Sequence, residues 1–441
     1  MNVERRDSVK PSGPTSQPGS SREEGVGPTK PFDIDKWRFA EAFRLVKANA
    51  GSAGIDRQSI EAFEENLKDN LYQLWNRMSS GSYMPPPVMG VAIPKKTGGS
   101  RLLGIPTVAD RIAQTVVKLE FEPVVEPHFL PDSYGYRPNK SALQAIDVTR
   151  KRCWDYDWVI EFDIKGLFDN IPHDLLLRAV ERHTDIPWVR LYIVRWLMAP
   201  MQLPNGECVQ RDRGTPQGGV ISPILANLFL HYAFDKWLQL NYSHVKWCRY
   251  ADDGLIHCKS EAQAKLLLRV IGERFRACGL ELHPEKTKIV YCKDDRRRGH
   301  YRQTSFDFLG YTFRRRSCRM GRSGRMALGF VPAVSTASLK EMRRKIRKMR
   351  IRSRTALSIE EIASWINPMI RGWLQYYGAF YRSEMYRLLR HVNKALVRWA
   401  MRKFRHLRGK KSQTIRLFER MAKLKPRLFV HWEQGMQGAF A

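Results

Sequence analysis

The sequence has few of the features that mark secreted, zinc-stapled or membrane proteins. Its seven cysteines are odd in number and never form a Cys-x-x-Cys pair, which argues for free thiols in a reducing compartment and against a structural zinc module. No apolar run approaches the roughly 18 residues of a membrane span, and the polar start does not resemble a signal peptide. No repeat with a period of about 20 to 50 residues is evident. We therefore expect a soluble, cytoplasmic protein.

Negative charge is also scarce. The chain has 44 Asp and Glu against 76 Lys and Arg, a formal net charge of +32. Residues 335–441 hold 26 Lys and Arg against 6 Glu and no Asp, so +20 of the +32 lies there. Such a charge repels itself unless a polyanion neutralises it. The balance predicts a nucleic-acid partner, since no membrane segment is expected.

Composition divides the chain into three parts. Residues 1–31 are rich in Pro, Gly and Ser, which predicts a disordered tail. Residues 32–320 mix helical and strand patterns, and residues 335–441 read as helices with an apolar stripe at Leu388, Val392, Leu396 and Trp399. A basic turn between 94 and 101 joins two short strands, so that Lys95 and Arg101 lie where cations meet phosphates. A solvated basic turn explains that segment equally well.

Two adjacent carboxylates, Asp252 and Asp253, stand between an aromatic strand and an apolar one. The pattern predicts a β-hairpin with both acids at its tip, and Asp253-Gly254 is a strong turn signal. A divalent cation such as Mg²⁺, which prefers oxygen ligands, would relieve the crowded negative charge. Taken alone, the doublet is more typical of a solvated turn, because Asp-Asp-Gly turns are common.

A third carboxylate follows the same logic. Trp158–Ile164 alternates so that Asp163 and Glu161 lie opposite the apolar face of a strand. Helical segments separate this strand from the Asp252-Asp253 hairpin, so a βαββ-type sheet could bring Asp163 to the doublet. Downstream, Phe306–Phe313 is predicted to be one strand with a Gly break, and Glu261–Ala277 an amphipathic helix.

A Gly-rich loop, Gly214-Thr-Pro-Gln-Gly-Gly-Val-Ile-Ser-Pro223, precedes an apolar helix. Ser222 is predicted to cap that helix, with Pro223 at its first position. Such a loop either cradles phosphate or simply makes a turn. It is not a P-loop, because no Gly-Lys-Ser/Thr follows.

Taken in order, these motifs resemble the reverse transcriptases encoded by group II introns, also called intron maturases. The resemblance runs from about Phe39 to about Arg405. It is carried by Gly-Ile-Asp56, the hairpin ending at Arg101, Phe-Asp-Ile-Lys-Gly-Leu-Phe-Asp169, Thr-Pro-Gln-Gly-Gly-Val-Ile-Ser-Pro223, Tyr-Ala-Asp-Asp253, His-Pro-Glu-Lys-Thr-Lys288, Phe-Leu-Gly-Tyr311 and the Trp365 to Tyr377 segment. It implies an α+β right-hand polymerase: fingers and palm with an antiparallel sheet in 32–320, then an α-helical thumb and maturase domain (domain X) in 335–441.

The resemblance also implies roles for individual residues. Asp163, Asp252 and Asp253 would be catalytic and hold two Mg²⁺ ions, for which Mn²⁺ could substitute, with Ile164 as a further metal and nucleotide contact. Lys95 and Arg101 would meet the triphosphate, Phe168 would exclude a 2′-hydroxyl, Gln217 would line the nucleotide pocket, and Lys286 would give a proton to pyrophosphate. The primer grip would comprise Phe308, Leu309, Gly310 and Tyr311.

The implied function is an RNA-directed DNA polymerase that also assists splicing of its parent intron. Its partners would be group II intron RNA, an RNA template with a DNA primer, dNTPs and target DNA, in a nucleoid-associated bacterial ribonucleoprotein that takes part in retrohoming. About thirty residues without cysteine follow Arg408, so we expect no zinc-dependent endonuclease. The alternatives are a splicing-only maturase that binds RNA, or a retron or defence-type reverse transcriptase. Oligomeric state is not predicted.

Overall fold

The structure, a computed structural model, describes residues 30–94, 99–320, 325–438 and 440. The predicted tail lies outside these ranges except for its last two residues, and Lys95 lies outside them entirely. Within them, helices are mixed with three sheets. No helix in these ranges is long and apolar enough to cross a bilayer.

The first part of the described chain is helical and carries one hairpin. Its helices are α1 (Trp37–Asn49), α2 (Ile60–Glu65), α3 (Leu67–Ser79), α4 (Val108–Val125) and α5 (Ala142–Asp155). Strands β1 (Val88–Pro94) and β2 (Ser100–Ile105) pair antiparallel with Ile93 opposite Arg101, which confirms the predicted basic hairpin. Two short strands, β4 (Met201–Gln202) and β5 (Cys208–Val209), complete this sheet in the order β2-β1-β4-β5.

The second sheet carries the three acidic residues. Its strands are β3 (Trp158–Asp163), β6 (Lys246–Tyr250), β7 (Asp253–Cys258) and β8 (Lys288–Tyr291). They lie in the order β6-β7-β3-β8, and every neighbouring pair is antiparallel. The predicted convergence of the Asp163 strand with the acid hairpin in one sheet is therefore confirmed.

Helices cover this sheet because their apolar faces match its buried side chains. They are α6 (Leu167–Asn170), α7 (His173–Glu181), α8 (Pro187–Met198), α9 (Ser222–Leu230), α10 (Lys236–Asn241) and α11 (Glu261–Ala277), with a π-helical turn at His231–Asp235. Helix α11 has the predicted bounds, and Ser260 caps it by accepting from Gln263 N. Phe162 of β3 packs against Phe234 and Phe275, with ring centroids 5.1 and 5.9 Å away.

The third sheet corrects one prediction. Segment 306–313 is two strands, β9 (Ser305–Phe308) and β10 (Tyr311–Met320), which pair antiparallel and continue to β11 (Arg325–Val334). Leu309 and Gly310 both have positive φ, 51° and 79°, as the two central residues of a type I′ hairpin turn require. The glycine therefore marks a reversal of the chain, where a break within one strand was expected.

The last part of the described chain is helical, as predicted. It comprises α12 (Thr336–Lys348), α13 (Ile359–Tyr377), α14 (Tyr386–Lys403), α15 (Lys411–Leu424) and α16 (Val430–Glu433). A capping box of Ser358 and Glu361 begins α13. The four stripe residues of α14 are all buried and belong to a separate apolar core that these helices share. The basic side chains remain on the outside of this helical unit.

Candidate active site

Strand pairing brings Asp163 to the acid doublet. Asp163, the last residue of β3, lies directly opposite Asp253, the first residue of β7. Directly opposed residues of an antiparallel pair have Cβ atoms about 4.5–5.5 Å apart and point to the same face. Asp252 precedes β7, and its carbonyl accepts a 3.4 Å hydrogen bond from Ile164 N. We call Asp163, Asp252 and Asp253 the acid edge.

The turn of the hairpin lies one residue earlier than the predicted tip at Asp252 and Asp253. Ala251 and Asp252 form the turn between Tyr250 and Asp253, and Ala251 has a φ of +57°. Gly254 therefore lies within β7. A Cβ on Gly254 would stand 2.0 Å from the Phe162 ring, so only glycine lets β3 and β7 approach this closely. The Asp253-Gly254 pair therefore correctly predicted a hairpin, but these two residues do not form its turn.

The acid edge concentrates negative charge at the surface of a buried sheet. Asp163 is 6% exposed, whereas the Asp253 residue remains open to solvent. Packing of protein atoms around the carboxyl, and then the charges of Asp252 and Asp163, raise the pKa of Asp253 to about 7. Burial and then the charge of Asp163 also raise the pKa of Asp252. A cation beside the acid edge would therefore favour the ionised forms of Asp252 and Asp253.

Lys286 supplies the cation in this structure. Its Nζ donates to Asp163 Oδ2 in an ion pair. Burial by itself would lower the pKa of Lys286, but Asp163, Asp253 and Asp252 raise it. With this arrangement, no group of three or more His, Cys, Asp or Glu side chains in the described ranges is placed to enclose a metal ion. The donor set nevertheless suits Mg²⁺, because carboxylate oxygens are its preferred protein ligands.

Arg249 fixes the hairpin from beneath, a role that the sequence did not reveal. It is fully buried and forms a bidentate ion pair with Asp235 at 2.9 and 2.6 Å. It also donates to Asn227 Oδ1 at 3.0 Å and to the Ala251 carbonyl at 3.2 Å, within the turn itself. The sequence shows only an arginine within a mostly apolar and aromatic strand, which does not identify the partners of Arg249.

The Gly-rich loop brings Gln217 beside Phe168. Gln217 Nε2 donates to Asp169 Oδ2 at 3.1 Å, and Thr215 N donates to the Phe168 carbonyl at 2.6 Å. The loop also binds strand β2, because Gly104 N donates to the Gln217 carbonyl at 2.7 Å. Phe168, Gln217 and strand β2, which carries Arg101, are therefore neighbours. Phe168 itself is half-buried.

A second missed residue, Gln114 of α4, holds the far side of this loop. It is 1% exposed; its Oε1 accepts from Val220 N at 2.7 Å and Ile221 N at 3.3 Å, and its Nε2 donates to Asp110 at 2.9 Å. The predicted cap is corrected at this point. Ser222 makes no cap bond, and its hydroxyl is bound by Thr215 Oγ1 at 2.7 Å within the loop.

Arg101 lies on the same side of the molecule as the acid edge. Burial raises the pKa of the Tyr136 phenol, and the charges of Asp252 and Asp253 raise it further. The Arg101 guanidinium acts on the same phenol and lowers its pKa. Tyr136 is 55% exposed and has a φ of +56°. Lys95, expected beside Arg101, lies outside the described residues.

The four predicted primer-grip residues divide between surface and core. Phe308 and Tyr311 are 3% and 0% exposed, and Tyr311 donates to the Tyr376 carbonyl of α13. Tyr376 Oη returns a 2.9 Å bond to the Leu309 carbonyl. Their side chains therefore dock the third sheet on the helical unit. The turn at Leu309 and Gly310 is half-buried, and its Gly310 carbonyl accepts from Ser335 N at 2.9 Å.

Comparisons with known proteins agree with this arrangement. Residues 93–313 match the family "Reverse transcriptase (RNA-dependent DNA polymerase)", and residues 339–418 match "Group II intron, maturase-specific domain". The first match spans the hairpin, the Gly-rich loop and the acid edge. The second spans most of the basic helical unit. The reverse transcriptase family generally uses divalent metal ions.

Three relatives illustrate the similarity. The chain is 31% identical to Protein YkfC of Escherichia coli over 64% of its own length and 82% of that protein. It is 33% identical to the Group II intron-encoded protein LtrA of Lactococcus lactis over 45% of its length and 33% of LtrA. The Putative COX1/OXI3 intron 1 protein of Saccharomyces cerevisiae is 28% identical over 63% of the chain and 33% of the yeast protein. The chain belongs to the family of group II intron reverse transcriptases and maturases, whose enzymes are RNA-directed DNA polymerases.

Proposed function

We propose that this protein copies intron RNA into DNA with two Mg²⁺ ions held by Asp163, Asp252 and Asp253, and that it also binds its parent group II intron RNA to assist splicing and retrohoming. The observation that carries the polymerase proposal is the direct pairing of Asp163 with Asp253 in one sheet. Residues 32–320 would then be fingers and palm, and residues 335–441 the thumb and maturase domain. The substrates would be an RNA template, a DNA primer and dNTPs.

The acid edge suits a metal-assisted phosphoryl transfer. Bound magnesium would lower the pKa of a primer 3′-hydroxyl and neutralise the leaving pyrophosphate. The carboxylates would hold the ions there, with the Ile164 main chain beside them. Lys286 would have to leave Asp163 as metal enters, which would free its ammonium to donate a proton to pyrophosphate. Mn²⁺ would substitute for Mg²⁺ because it accepts the same oxygen ligands.

The space between Phe168, Gln217 and Arg101 would receive the incoming nucleotide. Lys95 and Arg101 would meet the triphosphate, and Gln217 would line the base and sugar. Phe168 would lie under the sugar, where its ring leaves no room for a 2′-hydroxyl. The turn at Leu309 and Gly310, flanked by Phe308 and Tyr311, would be the primer grip.

Phe168→Val should relax the choice of sugar. In an RNA-templated primer-extension assay, we expect the preference for dNTPs over rNTPs to fall about 10- to 200-fold, the range that steric changes in a small pocket produce. Catalytic efficiency with dNTPs should change much less, because the acid edge is untouched. Phe404→Val, the same substitution at an exposed aromatic of the helical unit, should leave the preference unchanged. An unaltered preference in the Phe168 variant would remove this residue from the nucleotide site.

The helical unit supports the maturase part of the proposal. Two neighbouring cavities of 740 and 250 Å³ share Arg352 and Arg398, and we call the pair the basic channel. Nine cationic residues line it, and no acidic residue in the described ranges does: Arg347, Arg350, Arg352, Arg398, Arg402, Lys403, Arg405, Arg408 and Lys411. A channel of one sign of charge fits a phosphate backbone.

Neutralising the channel should therefore weaken RNA binding in a salt-dependent way. For Arg352→Gln, Arg398→Gln and Arg402→Gln combined, the slope of log K against log [salt] should flatten by roughly 2 to 3, because each lost phosphate contact contributes about 0.7–0.9. Filter binding of intron RNA over a salt series measures this slope. A triple change of Lys259, Lys265 and Arg269 to Gln removes equal charge outside the channel, and an equal effect there would assign the binding to net charge alone.

A further inference from the structure

A second polar cavity lies away from the acid edge, and none of the roles proposed above uses it. It has a volume of about 340 Å³, and the residues that line it are His128, Arg182, His183, His231, Tyr232 and Lys236. They come from the segment after α4, the end of α7 and the π-helical turn that precedes α10. We call it the histidine cavity. π-helical turns inside helices occur often at functional sites.

His231 at the base of the cavity has unused hydrogen-bonding capacity. It is 4% exposed, and its Nδ1 is buried without a partner. No hydrogen bond to either ring nitrogen is found among the described residues. Burial, and then the cations around it, lower its pKa to about 4, so the ring is neutral and carries one N–H donor. The buried Nδ1 therefore lacks a hydrogen-bond partner that a bound ligand would supply.

The other groups around the cavity are also donors or cations. His183 and Tyr232 bond to one another at 2.7 Å, and the His128 ring stands edge-on to His183 at 4.6 Å. Arg182 and Lys236 at the rim have no acidic partner within the described part of the chain. No carboxylate lines the cavity. Two unpaired cations with no carboxylate beside them favour an anion.

An apolar cavity of about 290 Å³ adjoins the histidine cavity and shares Arg182 and Tyr232 with it. Its walls include Leu175, Ala179 and Phe229. A ligand that filled both would therefore carry an anionic group at one end and a compact apolar body at the other. Nucleotides have this combination, whether free or at the end of a nucleic-acid strand.

We propose that the histidine cavity binds a phosphate group through His231, Arg182 and Lys236, with the organic part of a nucleotide in the adjoining apolar cavity. The phosphate comes from a free nucleotide or from a nucleic-acid strand, and both sources present the same tetrahedral, multiply accepting anion. The site shares no lining residue with the acid edge. The π-helical turn links the two, because Asp235 at the end of that turn pairs with Arg249.

The test uses the full chain, labelled with ¹³C at the histidine ring and kept in a chelator so that the acid edge holds no metal. Thymidine monophosphate is titrated in one arm and a 5′-phosphorylated hexanucleotide in the other, while histidine signals are followed by NMR. The signals of His128, His183 and His231 should move together along one saturation curve, and those of His300 and His406 should not. Saturation by the mononucleotide identifies a free-nucleotide site; saturation by the hexanucleotide alone identifies a strand phosphate.

Matched variants separate this site from general charge attraction. Arg182→Ala with Lys236→Ala removes two exposed rim cations and should weaken binding about tenfold or more. Lys259→Ala with Lys265→Ala removes the same charge from an exposed surface elsewhere and should leave the curve unchanged. The proposal is overturned if neither ligand moves the three histidine signals, or if both double variants lose binding to the same extent.

Discussion

Asp163→Asn should reduce RNA-templated DNA synthesis about a thousandfold, and Asp252→Ala or Asp253→Ala should do the same. Each change removes a carboxylate from the acid edge, and metal stabilisation of a phosphoryl transfer is worth several kcal/mol, or roughly three orders of magnitude in rate. The other carboxylate of β3, Glu161, lies opposite Leu255 and away from the doublet. Single-turnover primer extension measures the loss without interference from product release.

The same strand provides the control for this experiment. Glu161 lies two residues before Asp163, is half-buried and pairs with Lys288 at 2.9 Å. Glu161→Gln makes the same kind of change outside the acid edge and should retain most activity. RNA binding and its salt slope should be unchanged in every variant, since the basic channel is intact. Sustained synthesis by the Asp163, Asp252 and Asp253 variants would falsify the two-metal assignment.

Arg249→Met should destabilise the fold by about 3–5 kcal/mol, because it leaves Asp235 buried without its partner. Both side chains are 0% exposed, so water cannot replace the lost contact. Burial already raises the pKa of Asp235 even with Arg249 present, and loss of the arginine would raise it further. Urea unfolding followed by circular dichroism measures the change in the free energy of unfolding.

Two controls separate charge from packing in this pair. The double variant Arg249→Met with Asp235→Leu carries no unpaired charge and should recover much of the stability. The single variant should also lose stability as pH rises above the ordinary carboxyl pKa towards the raised pKa of folded Asp235. An acid whose pKa is raised by folding binds more protons in the folded state, so stability falls across that window. A pH-independent loss, or a double variant as unstable as the single one, would show that Asp235 charge is not the cause.

The sequence predicted those parts of the fold in which local chemistry decides the outcome. Helix α11 has its predicted bounds because Ser260 caps it and its apolar residues share one face. The position of Asp163 beside the acid doublet was predictable. The alternation along Trp158–Asp163 and the intervening helices allow few sheet arrangements. The catalytic roles assigned to these residues remain predictions.

Residues whose contacts are distant in the sequence were not predicted, because no local pattern indicates those contacts. Gln114 binds the Gly-rich loop across 106 residues of chain, and Arg249 contacts Ser133 across 116. Turn positions were also missed where a non-glycine residue takes positive φ. Ala251 and Leu309 both do so, and alanine and leucine carry no turn signal. The surrounding sheet forces these conformations, so only tertiary structure reveals them.

The close contact between Gly254 and the Phe162 ring bears on how such an enzyme could be re-engineered. A library that randomises the two strands independently will discard nearly every clone with a side chain at 254, because the aromatic ring already occupies that volume. Only paired changes that shrink residue 162 while enlarging residue 254 keep the spacing of the strands. Directed evolution of this polymerase should therefore vary residues 162 and 254 together.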